Sequence, residues 1–152
     1  MSYFEIGIYH NKTSMNVGTL WRSAYQLGAS GIFTIHKRYR KQASDTYKAM
    51  RRIPLREYEN WNEFLMCRPN GAQLVAVEMG GTPLSNFVHP KQAIYLLGAE
   101  DHGLPQHILD QCQHVISLEA INRPSYNVAV AGSLVMYHRV FIVPVLPALV
   151  SA

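Results

Sequence analysis

The run Phe4–Ile35, FEIGIYHNKTSMNVGTLWRSAYQLGASGIFTI, reads as strand, helix and strand in succession. Phe4–Tyr9 is apolar and β-rich, which predicts a first strand. Val17, Leu20, Trp21, Ala24 and Leu27 then recur at helical spacing, with Ser14 or Asn16 placed as N-cap and Gly28 as the C-terminal stop. Gly31–Ile35 predicts a second strand. Two strands joined through a helix are the unit of a parallel sheet, because a parallel pair needs a crossover of a dozen or more residues.

The rhythm continues to the end of the chain. After a polar, basic stretch from His36 to Arg52, Ile53–Tyr58 predicts a short strand and Trp61–Arg68 a helix closed by Pro69, Asn70 and Gly71. Leu74–Val77 predicts a strand followed by a loop at Gly80–Pro83. Ala93–Leu97 predicts another, followed by Gly98 to Gly103 and a helix starting near Pro105, a residue suited to a first helical position. Val115–Leu118 is the last predicted strand and Asn127–Val140 the last helix. The fold class is therefore α/β, with a mostly parallel sheet flanked by helices.

The chain has 152 residues, which predicts a single domain over 1–152, large enough to hide roughly 68–70% of its unfolded surface. Hydrophobic residues make up 48% and charged residues 16%, which excludes a disordered charged tail. Cys67 and Cys112 stand far apart with no paired spacing, which suits a reducing cytoplasm. The N-terminus lacks a basic segment ahead of an apolar one, so it does not read as a signal peptide. The longest apolar run, near Val140–Pro147, is shorter than the roughly 20 residues of a membrane span and is broken by Pro144 and Pro147. These features predict a soluble cytoplasmic protein with no membrane partner.

The net charge is +4, from 14 Lys+Arg and 10 Asp+Glu. Its placement says more than its size. Lys37, Arg38, Arg40, Lys41, Lys48, Arg51, Arg52 and Arg56 fall in one short span, interleaved with Tyr39, Tyr47 and Tyr58. Phosphates attract such charge density and exposed bases stack on aromatic faces, so the span predicts nucleic-acid contact; a solvated loop is the alternative. Glycine-rich junctions at Asn16–Gly18, Gly80–Gly81 and Gly98–Gly103 follow predicted strands, where α/β sheets bind ligands, although such turns also serve merely as connections. Neither a dinucleotide fingerprint nor a P-loop is present. The seven histidines have no metal-ligand spacing, so no metal is expected, and no nucleophile elbow supports acyl transfer.

Three segments together resemble the SpoU (TrmH-like) branch of the SPOUT RNA methyltransferases. They are NVGTLWRSAYQLGA (Asn16–Ala29), LLGAEDHGLP (Leu96–Pro105) and RPSYNVAVAGSLVMY (Arg123–Tyr137), in that order. The resemblance implies methyl transfer from S-adenosylmethionine to a ribose 2′-hydroxyl of RNA, tRNA above all, with the anticodon wobble nucleotide as a candidate target. It also implies a C-terminal trefoil knot and a homodimer formed through the first and last helices. The small residues Ala129, Ala131, Gly132 and Ser133 would permit close backbone approach in such a dimer. By motif position, Asn16, Arg22, Glu100 and Asn127 take active-site roles, with Ser125 also at an active-site position. Val77, Gly98, Ile116, Leu118, Ser125 and Asn127 take cofactor positions, and Lys37, Arg38, Arg40, Lys41, Arg51 and Arg52 supply the RNA contacts. Tyr126 departs from the leucine usual in that motif. Arginine side chains keep their proton in proteins, so Arg22 suits alkoxide stabilisation or a phosphate grip better than proton abstraction. Glu100 suits a structural role as well as a catalytic one. A non-catalytic RNA-binding α/β domain and a ribosomal RNA substrate are the alternative readings.

Overall fold

The computed structural model describes residues 2–10, 13–36, 52–99 and 102–143. Glu100, Lys37, Arg38, Arg40, Lys41 and Arg51 lie outside these described residues, as does the chain from 144 onward. The elements, in order, are β1 (Tyr3–Tyr9), α1 (Ser14–Gln26), β2 (Gly31–Ile35), β3 (Leu55–Tyr58), α2 (Trp61–Cys67), β4 (Gln73–Pro83) and β5 (Gln92–Gly98). They are followed by α3 (Gln106–Leu109), β6 (His114–Ser117) and α4 (Val128–Tyr137), which runs into a π-helical turn at His138–Ile142.

All six strands pair in parallel, in the order β3-β2-β1-β5-β4-β6. Parallel strands carry helices on both faces, so the central ones are apolar on both sides, and β1, β2 and β5 are buried along nearly their whole length. Phe4, Ile6 and Ile8 of β1 face one layer with Val17, Leu20 and Trp21 of α1 and Val128, Ala129 and Val135 of α4. Phe33, Ile35, Ile94 and Leu96 face the other, with Trp61 and Phe64 of α2 and Ile108 of α3.

Several boundaries differ from the sequence reading for local reasons. Helix α1 starts at Ser14 behind Thr13 as N-cap, rather than behind Ser14 or Asn16, and Gly28 follows its end at φ +84°. Strand β4 does not stop at Val77. Val77 and Thr82 both lie opposite Ile116 of β6, so Glu78–Gly81 bow out of the ladder before Thr82 and Pro83 rejoin it. Arg56 pairs with the buried Glu5 carboxylate two strands away while its side chain stays half exposed, so part of its charge is answered within the fold. The small residues of α4 face inward: a Cβ on Gly132 would crowd Leu20, Leu97 and Ile6 of its own core. The outward stripe is Val130, Leu134, Tyr137 and Phe141, spaced as one side of a helix.

A buried polar cluster fastens the end of α4 to the amino edge of the sheet. Arg139, 2% exposed, donates to the carbonyls of Pro90 and Lys91 at 2.7 and 2.8 Å and to the Tyr95 hydroxyl at 3.0 Å. Tyr95 Oη stands 2.6 Å from His89 Nδ1, and His89 Nε2 stands 2.8 Å from His138 Nδ1. A consistent assignment has Tyr95 donating to His89 Nδ1 and His89 Nε2–H donating to His138, which needs a neutral His89. Burial, followed by the nearby His138 and Arg139, holds the His89 pKa down to about 3. The unfolded chain, with an ordinary histidine pKa near ~6.5, binds this proton at acidic pH while the folded chain does not, so folding stability rises with pH through that window. Urea unfolding should therefore show stability increasing from pH 4 to 6.5, with His89 contributing up to about 1.4 kcal/mol per pH unit. The rise should be shallower in His89→Gln.

Candidate functional site

Helix α1 leaves the end of β1 on one face of the sheet, and α3 follows neighbouring β5 on the other. Connections that diverge from adjacent strands open a crevice at their carboxyl ends, the usual ligand position in such sheets. On the β5 side lies a cavity of about 260 Å³. Val77, paired in β4, and Glu78 and Met79 of the bow that follows form one wall, and Leu97 and Gly98 form the floor. Ser117 and Leu118 border it at β6, and Pro124, Ser125 and Tyr126 close it from the segment leading into α4.

Two glycines let the backbone fold over the end of β5. Ala99 and Gly103 form an antiparallel bridge, with Gly103 N–H donating to Ala99 O at 3.0 Å. A Cβ on Gly98 would come within 2.6 Å of the Gly103 carbonyl carbon. Gly103 itself adopts φ +62°, and a Cβ there would collide with the Glu78 carboxylate. That carboxylate accepts the backbone N–H of Leu104 at 2.8 Å through Oε2 and that of Met79 at 3.0 Å through Oε1. Glu78 thus ties the β4 bow to the turn after β5, which together make the cavity rim.

Across the rim, Asn127 joins two of the sequence motifs. Its Oδ1 accepts the N–H groups of Ala129 and Val130 at 3.0 and 3.2 Å, capping α4, while its Nδ2 donates to Asn16 Oδ1 at 3.1 Å. Asn127 stands between the lining residues Tyr126 and Val128. Arg22 is exposed on α1, the helix that carries Asn16.

Of the residues expected at a cofactor site, Val77, Gly98, Leu118 and Ser125 line the cavity. Ile116 and Asn127 do not. Ile116 is fully buried opposite Val77 and Thr82, its neighbours Ser117 and Leu118 reaching the cavity instead. Asn127 is held by the α4 cap and Asn16 between the lining residues Tyr126 and Val128. Arg52 is exposed, and is the one expected RNA contact among the described residues. Tyr126 lines the cavity and its hydroxyl donates to the Glu119 carbonyl at 2.6 Å. Sequence reading missed Glu78, whose signal was a carboxylate at a strand end just ahead of Gly80 and Gly81. It also missed His102, which borders the cavity. Among the described residues no group of three or more His, Cys, Asp or Glu could share a metal ion, and no helix is long and apolar enough to cross a membrane.

The model of the SpoU rRNA Methylase family matches residues 4–137, from the start of β1 to the end of α4. The chain belongs to this family. No curated protein sequence matches it significantly. Among solved structures, the fold of this SpoU family member is similar to that of the SpoU methyltransferase AviRb from Streptomyces viridochromogenes in complex with the cofactor AdoMet (TM-score 0.77, 20% identity, covering 91% of this chain and 57% of that one). It is also similar to an AdoMet-bound rRNA methyltransferase from Sinorhizobium meliloti (TM-score 0.76, 22% identity, 89% and 54%). A third likeness is to a protein studied for 2-OH methylation of C/U34 on tRNA (TM-score 0.76, 23% identity, 90% and 93%). The chain spans little more than half the length of the first two.

The Glu78 contacts have a direct test. Glu78→Ala leaves the Leu104 N–H without its carboxylate, at an expected cost of about 1–3 kcal/mol. Hydrogen exchange should accelerate at the Leu104 amide while the amides at the centre of β5 stay protected.

Proposed function

We propose that this SpoU family member is an S-adenosylmethionine-dependent RNA 2′-O-ribose methyltransferase acting on tRNA, with the anticodon wobble ribose as its target. The observation that carries the reading is the Asn16–Asn127 hydrogen bond at the rim of a strand-end cavity. It joins the first and third family motifs at the place where an α/β sheet holds its ligands. The tRNA target draws support from the protein studied for C/U34 methylation, of which this chain covers 93%. A ribosomal RNA target is the second reading, favoured by the family description and by the Sinorhizobium meliloti neighbour.

The lining of the cavity suits such a cofactor. Val77, Leu97, Leu118 and Val128 offer apolar walls to a nucleoside, and Gly98 and Gly103 let the backbone close tightly beside it. When bound, the cofactor supplies an electrophilic methyl group. The chain must then hold a ribose oxygen in line with it, an alignment worth roughly 7–11 kcal/mol in well-oriented reactions. Asn16 orients the ribose or Arg22, and Asn127 fixes Asn16 while capping α4. Arg22 donates only, so it stabilises the developing alkoxide or grips the adjoining phosphate, and an RNA phosphate or water takes the proton. Lys37, Arg38, Arg40, Lys41, Arg51 and Arg52 complete the reading as RNA contacts, and Glu100 as a support of the third motif.

The reading includes a trefoil knot built from the second-half strands and α4, and a homodimer. An exposed apolar stripe on α4, with Leu134 42% and Phe141 60% exposed, is the kind of surface that a partner covers.

Incubation with S-adenosylmethionine and unmodified tRNA should yield a 2′-O-methylated nucleoside by mass spectrometry. Arg22→Ala should lower turnover by about 10²–10³-fold and leave S-adenosylmethionine affinity unchanged in calorimetric titration. Full methylation by that variant would remove Arg22 from the mechanism. Asn127→Ala should lose cofactor affinity and about 1 kcal/mol of stability with its cap.

A further inference from the structure

Strands β1 and β2 end in the same unusual way. His10 and His36 directly follow them, and they are the non-glycine residues with positive φ among the described residues, at 55° and 77°. A Cβ makes that conformation unfavourable, so its recurrence on adjacent strand ends marks a geometry the surroundings impose. The backbones are held there, with His10 N–H donating to Ile35 O at 3.0 Å and His36 N–H to Tyr58 O at 2.9 Å. The two imidazoles stack, with centroids 4.3 Å apart and planes inclined by 26°. Tyr9 sets its ring edge-on against both, at 4.7 and 5.2 Å. Tyr9 is buried, but both histidines are exposed.

The location gives the stack a use. Tyr9 pairs with Gly98 on one side and with Ile35 on the other. The histidines therefore follow strand ends on the same carboxyl edge of the sheet as the cavity, the edge that the methyltransferase reading assigns to the target nucleotide. The Tyr9 ring beneath them packs in the layer of α2 and α3, while Leu97 and Val128 line the cavity from the other layer. Adjacent strands lie about 5 Å apart, so the pair stands one to two strand spacings from Gly98. In sequence, His36 opens the basic span that continues at Lys37 and Arg38.

We propose that the His10–His36 stack is a platform for an unpaired nucleobase of the RNA, next to the nucleotide whose ribose is methylated. Single-stranded RNA is held in this way, with splayed bases lying on aromatic faces that include histidine. Burial and the neighbouring His36 hold the His10 pKa below the usual histidine value, which keeps its ring neutral at neutral pH. A neutral ring offers a flat face and hydrogen-bonding edges rather than charge, so it favours a base over a phosphate. This inference rests on the RNA methyltransferase reading.

The test uses the full chain, unmodified tRNA and ribosomal RNA transcripts, and three variants. His10→Asn and His36→Asn remove the ring while tolerating a left-handed backbone, and His36→Phe retains an aromatic face. Base stacking on an aromatic residue is worth enough that each Asn variant should weaken RNA binding by about 5- to 150-fold. KM for RNA should rise more than kcat falls. His36→Phe should bind close to the wild type, and S-adenosylmethionine affinity and the thermal midpoint should report an intact fold. Asn variants that bind RNA like the wild type overturn the proposal while leaving the methyltransferase reading in place. A Phe variant as weak as the Asn variant, with wild-type affinity that climbs as pH falls, also overturns it, because that pattern marks a phosphate contact. A loss of RNA binding that only follows a lowered thermal midpoint assigns the stack to covering Tyr9. Wild-type protein that binds neither RNA overturns both readings together.

Discussion

The pairing of β1 with β5 runs without a break from Tyr3↔Gln92 to Tyr9↔Gly98, and the rest of the molecule is arranged around it. The two strands are distant in sequence, so closing them together carries a large loop-entropy cost that the burial of Ile6, Ile8, Ile94 and Leu96 offsets. Because the pair is parallel and in strict register, both strands end at the same level. One ends at Tyr9 and leads to α1 with Asn16; the other ends at Gly98 and leads to the turn over the cavity. A slip of one residue would turn every buried side chain of β1 to the opposite layer.

Polar groups then fix what the sheet has placed. At the carboxyl edge, Glu78 accepts two backbone N–H groups and Asn127 both caps α4 and reaches Asn16. At the amino edge, Arg139, Tyr95, His89 and His138 hold the far end of the same helix. Helix α4 is therefore pinned at both ends while its middle packs on Leu20, Leu97 and Ile6 through Gly132. In the buried amino-edge cluster, polar groups satisfied in this way specify one arrangement, since any other leaves a buried donor without a partner.

Much of this architecture was legible in the sequence, and its exceptions have physical causes. The strand–helix alternation was readable because parallel strands buried on both faces are short apolar runs, as at Phe4–Tyr9 and Ala93–Leu97. The β4 bow was not, because local sequence cannot show that Thr82 returns to the residue Val77 already faces. Ile116 sits at a strand position one residue from the cavity, and the alternation of strand side chains turns it into the core instead. Arg56 reads as one more solvated charge of the basic span, and only the β2–β3 pairing shows that it also reaches the buried Glu5. The inward Gly132 and outward Leu134 were equally hidden, since α4 is apolar all round and lacks the polar side that reveals a helix's orientation. Glu78 and the histidine stack depend on contacts between strand ends, which no local pattern records.

The central claim is that the strand-end cavity holds the methyl donor. Amide resonances followed during titration with S-adenosylmethionine test it directly, without requiring the correct RNA. The account predicts saturable shifts concentrated at Gly98, Gly103, Leu118 and Ser125, with β2 and β3 silent. Shifts centred elsewhere, or none at saturating ligand, would contradict it.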